Sequence, residues 1–173
     1  MEIIELQDGQ IITIRKAAKE DASIIIPYLN EVAGETDFLS FGKDEFMMSI
    51  GDEAEYIEKN NGVMFLVFMD DKLASVSQLI GHTKKRELHT CELAISIRKE
   101  FWGLGIGKIC LGKLIQYAKH DELLKLIYLE VVSENKRALS LYKNIGFIEA
   151  GEIPALMRVD DRYLDVKMMY LPV

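Results

Sequence analysis

The 173-residue chain is 49% hydrophobic and 28% charged, a balance that suits one globular domain with its own core and excludes disorder. Nowhere do about 18 apolar residues run together, which excludes a transmembrane helix, and the net charge of -7 argues against nucleic acid as partner while leaving cationic substrates open. Cys91 and Cys110 read as packing thiols of a reducing compartment, and the opening MEIIELQDGQ lacks the basic and apolar parts of a secretion signal, so a cytoplasmic protein without disulfides is expected.

Glu2 to Leu6 and Ile11 to Lys16 are β-prone runs separated by an Asp-Gly turn signal, which predicts an opening hairpin. Asp21 can cap a first helix reaching about Val32, with Ile24, Ile25, Tyr28, Leu29 and Val32 on its apolar face. Pro27 falls inside that pattern and should kink the helix or mark a start just before it. Gly34 to Gly42 reads as a loop. A second helix is expected from about Asp44 to Lys59, apolar at Phe46, Met47, Ile50, Ala54 and Ile57 and ended by Asn60-Asn61-Gly62.

Val63 to Met69 and Leu73 to Ile80 form a second predicted hairpin, joined at Asp70-Asp71, and the polar connector HTKKRELH follows it. From Glu92 an alternating apolar strand runs into Gly103, Gly105 and Gly107, which open a well-buried helix to His120. Leu126 to Val132 is the next strand, and Asn135 to Asn144 a helix stopped at Gly146. Phe147 to Ile153 and Tyr163 to Leu171 are closing strands around a loop from Pro154 to Arg162. No repeat or linker divides the chain, so residues 1-173 are read as one domain.

The glycines carry the first chemical signal. Without Cβ atoms they let a ligand approach the backbone, and the first N–H groups of the following helix lack intrahelical partners, so the junction suits a phosphate. Spacing narrows which phosphate. A dinucleotide fingerprint from Gly103 would need glycine at Lys108, and a P-loop ending at Gly107-Lys108 would need glycine at Trp102 and Ser or Thr at Ile109; both fail.

Trp102-Gly103-Leu104-Gly105-Ile106-Gly107 instead resembles the coenzyme A loop Q/R-x-x-G-x-G/A of the GNAT superfamily of N-acetyltransferases, with Trp102 in place of the usual Gln or Arg. Asn135 to Phe147, NKRALSLYKNIGF, is similar to that family's N-x-x-A-x-x-L-Y-x-x-x-G-F at every specified position. The resemblance covers the whole order of elements. It implies an α/β (α+β) fold: a central mixed, mostly antiparallel sheet splayed between its fourth and fifth strands and flanked by about four helices.

The resemblance also implies acetyl-CoA as cosubstrate. Its pantetheine arm would lie between the strand ending at Ile97 and the strand Leu126 to Val132, pairing with backbone groups of Ile95, Ser96 and Ile97. The loop residues Trp102, Gly103, Leu104, Gly105, Ile106 and Gly107, with Lys108, Asn135 and Ala138, would hold the rest. Tyr142 stands at the family's Tyr position, where a phenol of pKa near 10 keeps its proton and can hydrogen-bond the departing thiolate. Asn135 can equally cap its helix.

Two glutamates interrupt largely apolar strands, Glu92 beside Ala94 and Ser96, and Glu130 beside Tyr128 and Val132. Burial would raise either pKa and improve it as a base; water is the third option, and an ion pair the structural one. His82, His89 and His120 lack ligand spacing, so no metal is expected. Glu31, Glu35, Asp37, Asp44 and Glu45, against only Lys43, could form an acidic rim for an amine or an ordinary exposed loop. The expected activity is acetyl transfer to the primary amine of a small molecule or peptide, with no nucleic acid or membrane partner and a homodimer left open. The alternatives are an acyl-CoA-binding sensor or interaction module of the same fold, and transfer of a longer acyl group or to a hydroxyl.

Overall fold

Hydrophobic alternation builds the first part of the sheet. Strands β1 (Glu2–Glu5) and β2 (Ile11–Lys16) form the opening hairpin, and β2 pairs antiparallel with β3 (Val63–Met69). β3 is buried along most of its length, because helices cover both of its faces. It turns into β4 (Lys72–Gly81) through Asp70 and Asp71, both at positive φ, the mirror-image turn that matches strand twist and that Asp tolerates better than most residues. β4 pairs antiparallel with β5 (Thr90–Ile97).

The computed structural model describes all 173 residues and completes an eight-stranded sheet in the order β1-β2-β3-β4-β5-β6-β8-β7. β6 (Leu126–Val132) is the one parallel neighbour, and it meets β5 only at Thr90, Cys91 and Glu92. Beyond Glu92 the two strands part, leaving β5 as far as Ile97 and β6 as far as Val132 unpaired with each other. These are the fifth and sixth strands along the chain, and the fourth and fifth when the edge strand β1 is set aside.

Helices α1 (Ala22–Ala33) and α2 (Ile50–Lys59) cover one face, where Ile25, Tyr28 and Val32 pack on Met64, Leu66 and Val76. Helices α3 (Ile106–His120) and α4 (Lys136–Ile145) cover the other, with Leu111, Leu114 and Leu139 on Leu93, Ile127 and Leu129. None of these helices is long and apolar enough to cross a membrane.

Several local expectations need correcting. α2 begins at Ile50, not near Asp44: Asp44 sits at φ 64, and Ser49 caps the helix by accepting the Asp52 N–H. α1 runs through Pro27 unbroken, since Pro27 and Ser23 are both exposed and water can satisfy the carbonyl that proline leaves free. Ile24 is exposed and belongs to the outer face of α1. Asp21 makes no cap bond to α1; its carboxylate takes both nitrogens of Arg15, at 2.6 and 2.7 Å. The expected loop from Pro154 to Arg162 is strand: β7 (Ile148–Val159) and β8 (Arg162–Pro172) meet at a turn of Asp160 and Asp161, and Pro154 falls in a register shift between Ile153 and Met157 that spares it a ladder bond.

Candidate active site

The glycine loop bridges β5 and α3. Gly103 and Gly105 have φ of 87° and 85°, a left-handed conformation that suits glycine, and a Cβ at either would meet no protein atom within 4 Å. The open space on that side is therefore available to a ligand. Gly107 serves a different purpose: a Cβ there would stand 3.0 Å from the Leu141 side chain and 3.4 Å from that of Ile97, so its absence lets α3 pack closely against α4 and β5.

The N–H groups of Gly103, Leu104, Gly105, Ile106 and Gly107 donate to no protein acceptor, whereas the next two, Lys108 and Ile109, bond to the Gly105 carbonyl. Five consecutive free amides at the positive end of a 15-residue helix make an anion cradle. Lys108 is exposed beside it.

A cavity of about 650 Å³ occupies the gap between β5 and β6. Nine of the predicted residues line it: Glu92, Ile95, Ser96, Ile97, Trp102, Glu130, Asn135, Ala138 and Tyr142. The glycine loop meets the cavity only at Trp102, so the amide row lies at its mouth and not in its wall. α4 is held by Asn135, whose Oδ1 accepts the Ala138 N–H at 3.1 Å, leaving Nδ2 without a protein partner. Tyr142 is 6% exposed; its hydroxyl bonds to no protein group and lines the cavity, and burial pushes its pKa up.

The three β5 residues differ in what they offer. The Arg98 N–H bonds back to Ala74, so by strand alternation Ile95 and Ile97 direct their backbone groups into the gap while Ser96 faces β4. The Ser96 carbonyl is already taken by the Tyr28 hydroxyl at 2.9 Å and the Ser75 hydroxyl at 2.8 Å. The Ile97 carbonyl accepts the Trp102 indole N–H at 2.8 Å, and the face of that indole lies 4.4 Å from the Arg137 guanidinium. Trp102 thus ties the end of β5 to the first turn of α4, a role its sequence position did not reveal.

The two strand carboxylates also part company. Glu92 is half-buried, and its pKa is raised by burial and by the charge of Glu130, with His82 acting in the opposite sense. Glu130 is exposed. Glu92 lies in register with Tyr128, whose hydroxyl meets His82 Nε2 at 3.1 Å, and the two rings stack at 6.0 Å.

The acidic stretch from Glu31 to Glu45 is largely spent on structure. Glu31 pairs with Arg98, Glu35 accepts the Lys99 N–H, Asp37 meets Arg162, and Glu45 accepts the Gly42 N–H. The cavity's acidity comes from elsewhere, and one contributor escaped the sequence reading. Glu53 of α2 is 2% exposed and lines the cavity. The signal was available: Ile50, Glu53, Ala54 and Ile57 stand at i, i+3, i+4 and i+7, so Glu53 shares the apolar face of α2.

A sheet opened on one side, with an anion cradle at the mouth of the opening and a phenol and carboxylates within it, defines the class: an acyltransferase fold built to admit a long phosphorylated thioester. Residues 28–147 match the model of the acetyltransferase (GNAT) family, and the chain belongs to that family. It is 34% identical over 97 residues to the spermidine N(1)-acetyltransferase of Vibrio cholerae, covering 54% of this chain and 56% of that protein. It is 35% identical over 80 residues to the N-alpha-acetyltransferase RimI of Mycobacterium tuberculosis, 45% of each chain. The chain thus spans about half the length of the curated relatives it matches.

Likeness of fold extends much further. A GNAT-family acetyltransferase of Streptococcus pneumoniae superposes with a TM-score of 0.90 at 28% identity, over 94% of this chain and 99% of that one. The yncA protein of Salmonella typhimurium, solved with its cofactor acetyl-CoA, superposes at 0.81 with 18% identity, over 93% of each chain.

Proposed function

We propose that this protein is an N-acetyltransferase that moves the acetyl group of acetyl-CoA to the primary amine of a small molecule or peptide by direct attack. The observation that carries the reading is one continuous site: a row of free amides opens onto a cavity that holds both an unpartnered phenol, Tyr142, and a carboxylate of raised pKa, Glu92. The residues fit the coenzyme, because the open side of Gly103 and Gly105 leaves room for a phosphate against the backbone. When bound, acetyl-CoA supplies the acetyl group as a thioester. Its phosphates would be held by the amides of Gly103 to Gly107 with Lys108 beside them, and its arm by the backbone of Ile95 and Ile97 and by Asn135 Nδ2.

Glu92 takes the proton that an ammonium must lose before it can attack. A carboxylate whose pKa is raised towards that of the acceptor is the better base, and Glu92 qualifies where the exposed Glu130 does not. Glu130 contributes by keeping negative charge near Glu92. Tyr142 keeps its proton, since burial disfavours the phenolate, and donates a hydrogen bond at the position of the departing sulfur. One curated relative is named for spermidine and another as an N-alpha-acetyltransferase, which supports the amine and leaves its identity to experiment. Two buried unpaired cysteines accord with the cytoplasmic location expected.

Thiol release from acetyl-CoA across amines, amino acids, polyamines, aminoglycosides and peptide N-termini tests the reading. Turnover on at least one class is expected, and tight coenzyme binding with no turnover on any would overturn it in favour of a sensor. On the active class, Glu92→Gln should lower turnover by about 10²-fold or more. The sign with pH follows from the raised pKa: wild-type turnover should fall as pH drops through a value above the ordinary carboxylate range, because Glu92 gains a proton there, and the variant should lose that limb.

A further inference from the structure

One carboxylate of the cavity is used neither for the coenzyme nor as the base. Glu53 is 2% exposed, yet it accepts no hydrogen bond from any protein donor, and no lysine, arginine or histidine lies within ion-pair reach of it. The only side-chain oxygens wholly enclosed without a partner are those of Ser77 and Ser133, so the little access Glu53 retains is to the cavity it lines. Burial raises its pKa and favours the protonated carboxyl, so a cation brought against it is what would restore the carboxylate.

The surroundings say which kind of cation. Glu53, Glu92 and Tyr56 line the same cavity; the Tyr56 hydroxyl donates to Gln78 at 2.9 Å, and its pKa is pushed up to about 12, mainly by burial and further by the charges of the two glutamates. The only basic residues lining the cavity are Lys136 and Arg137, both in the first turn of α4. Lys136 donates to the Ser133 carbonyl and Arg137 lies over Trp102, so neither neutralises Glu53. The walls of the same cavity are largely apolar and include the rings of Phe38, Phe41 and Phe46. An acceptor with a single ammonium would satisfy Glu92 and leave Glu53 bare, and an amino acid would bring its own carboxylate against it.

We propose that Glu53 binds a second positively charged nitrogen of the acceptor, so that the preferred substrates are diamines and polyamines with a hydrocarbon spacer. The proposal rests on acetyl transfer at this site and names its substrate class. The reacting amine gives its proton to Glu92 while the distal ammonium stays protonated against Glu53.

The test compares diaminobutane and diaminohexane with butylamine and hexylamine, on the wild type and on Glu53→Gln, with acetyl-CoA saturating. The wild type should favour the diamine by more than about tenfold in kcat/KM, through KM, and Glu53→Gln should bring the ratio near one. No diamine preference in the wild type, or an unchanged ratio in the variant, overturns the proposal. Thermal shift by each amine supplies a readout independent of turnover: diamines should raise the melting temperature of the wild type and not of Glu53→Gln. Thiol release with no diamine preference would remove the role of Glu53 and keep acetyl transfer. Diamine binding that depends on Glu53, with no thiol release from any acceptor, would remove acetyl transfer and keep the cation site. Glu53→Leu provides the second variant, and loss of diamine stabilisation in both, with each still melting cooperatively, is the supporting result.

Discussion

On the proposed function, the two ends of the cavity would recognise their ligands by different means. The coenzyme end is made of backbone: five free amides on two left-handed glycines, a strand edge at Ile95 and Ile97, and a helix start fixed by the Asn135 cap. The acceptor end is made of side chains brought from separate elements, with Glu53 from α2, Glu92 from β5, Glu130 from β6 and aromatic rings from the segment between α1 and α2. Backbone recognition demands special φ angles and small residues, which leave a motif in the sequence. Side-chain recognition needs only that the fold bring the right groups together, and it can be changed one residue at a time.

Breaking the junction between the two ends should have the largest effect. Tyr142 lines the cavity and is the proposed donor to the departing sulfur, so Tyr142→Phe should lower turnover on the order of 10²-fold with acetyl-CoA affinity nearly intact, read as kcat against a directly measured dissociation constant. Equal losses in turnover and affinity would mean that Tyr142 shapes the coenzyme end instead.

The backbone character of the coenzyme end is tested next, by a pair of glycines. Gly105 and Gly146 both sit at positive φ, at 85° and 111°, and a Cβ at either meets nothing closer than 3.7 Å. Alanine at each should cost about 1–2 kcal/mol of stability for the left-handed conformation, measured by denaturant unfolding. Only Gly105→Ala puts a methyl on the open side of the amide row, so it alone should also weaken acetyl-CoA, by about tenfold for a loss of one to two amide contacts. Matching affinities in the two variants would deny that the row holds phosphate.

The same contrast explains what was legible in the sequence. Gly103, Gly105, Asn135 and Gly146 were readable because each is the residue type its backbone position demands. The strands followed from alternation, β6 with the limits expected, whereas the splay was legible only through the resemblance to the GNAT family. The start of α2 did not, because Phe46 and Met47 continue the helical spacing of apolar residues and nothing local outweighs it until the Asp44 backbone and the Ser49 cap are seen. The strands β7 and β8 were read too short, because Pro154 at one end and Asp160-Asp161 at the other look like the limits of a loop unless the β8 register is known. Glu53 was visible as a charge on an apolar face, but its lack of a partner depends on which side chains the fold brings around it. The acidic stretch from Glu31 to Glu45, open between a rim and an ordinary loop, was hard to read for the opposite reason: its charges could be counted, but their partners Arg98, Lys99 and Arg162 come from far along the chain.

Trp102 belongs to neither end alone, and the smallest predicted effect is the one that assigns it. Its indole N–H occupies the Ile97 carbonyl, a backbone group that faces the gap, while its ring lies under Arg137. Trp102→Phe keeps a ring beneath the guanidinium and removes the hydrogen bond. A carbonyl oxygen has two lone pairs, so Ile97 can accept from the indole and from a bound ligand together; on that basis the bond acts as a tether that holds the glycine loop in register with β5. Losing it should raise the acetyl-CoA dissociation constant by about fivefold, the equivalent of one net hydrogen bond of about 1 kcal/mol, with kcat little changed. Isothermal titration of the two proteins gives the answer. Tighter binding by the phenylalanine variant would mean instead that the indole competes with the ligand for the Ile97 carbonyl, and the side chain at this position would then count as a restraint on the backbone end of the cavity.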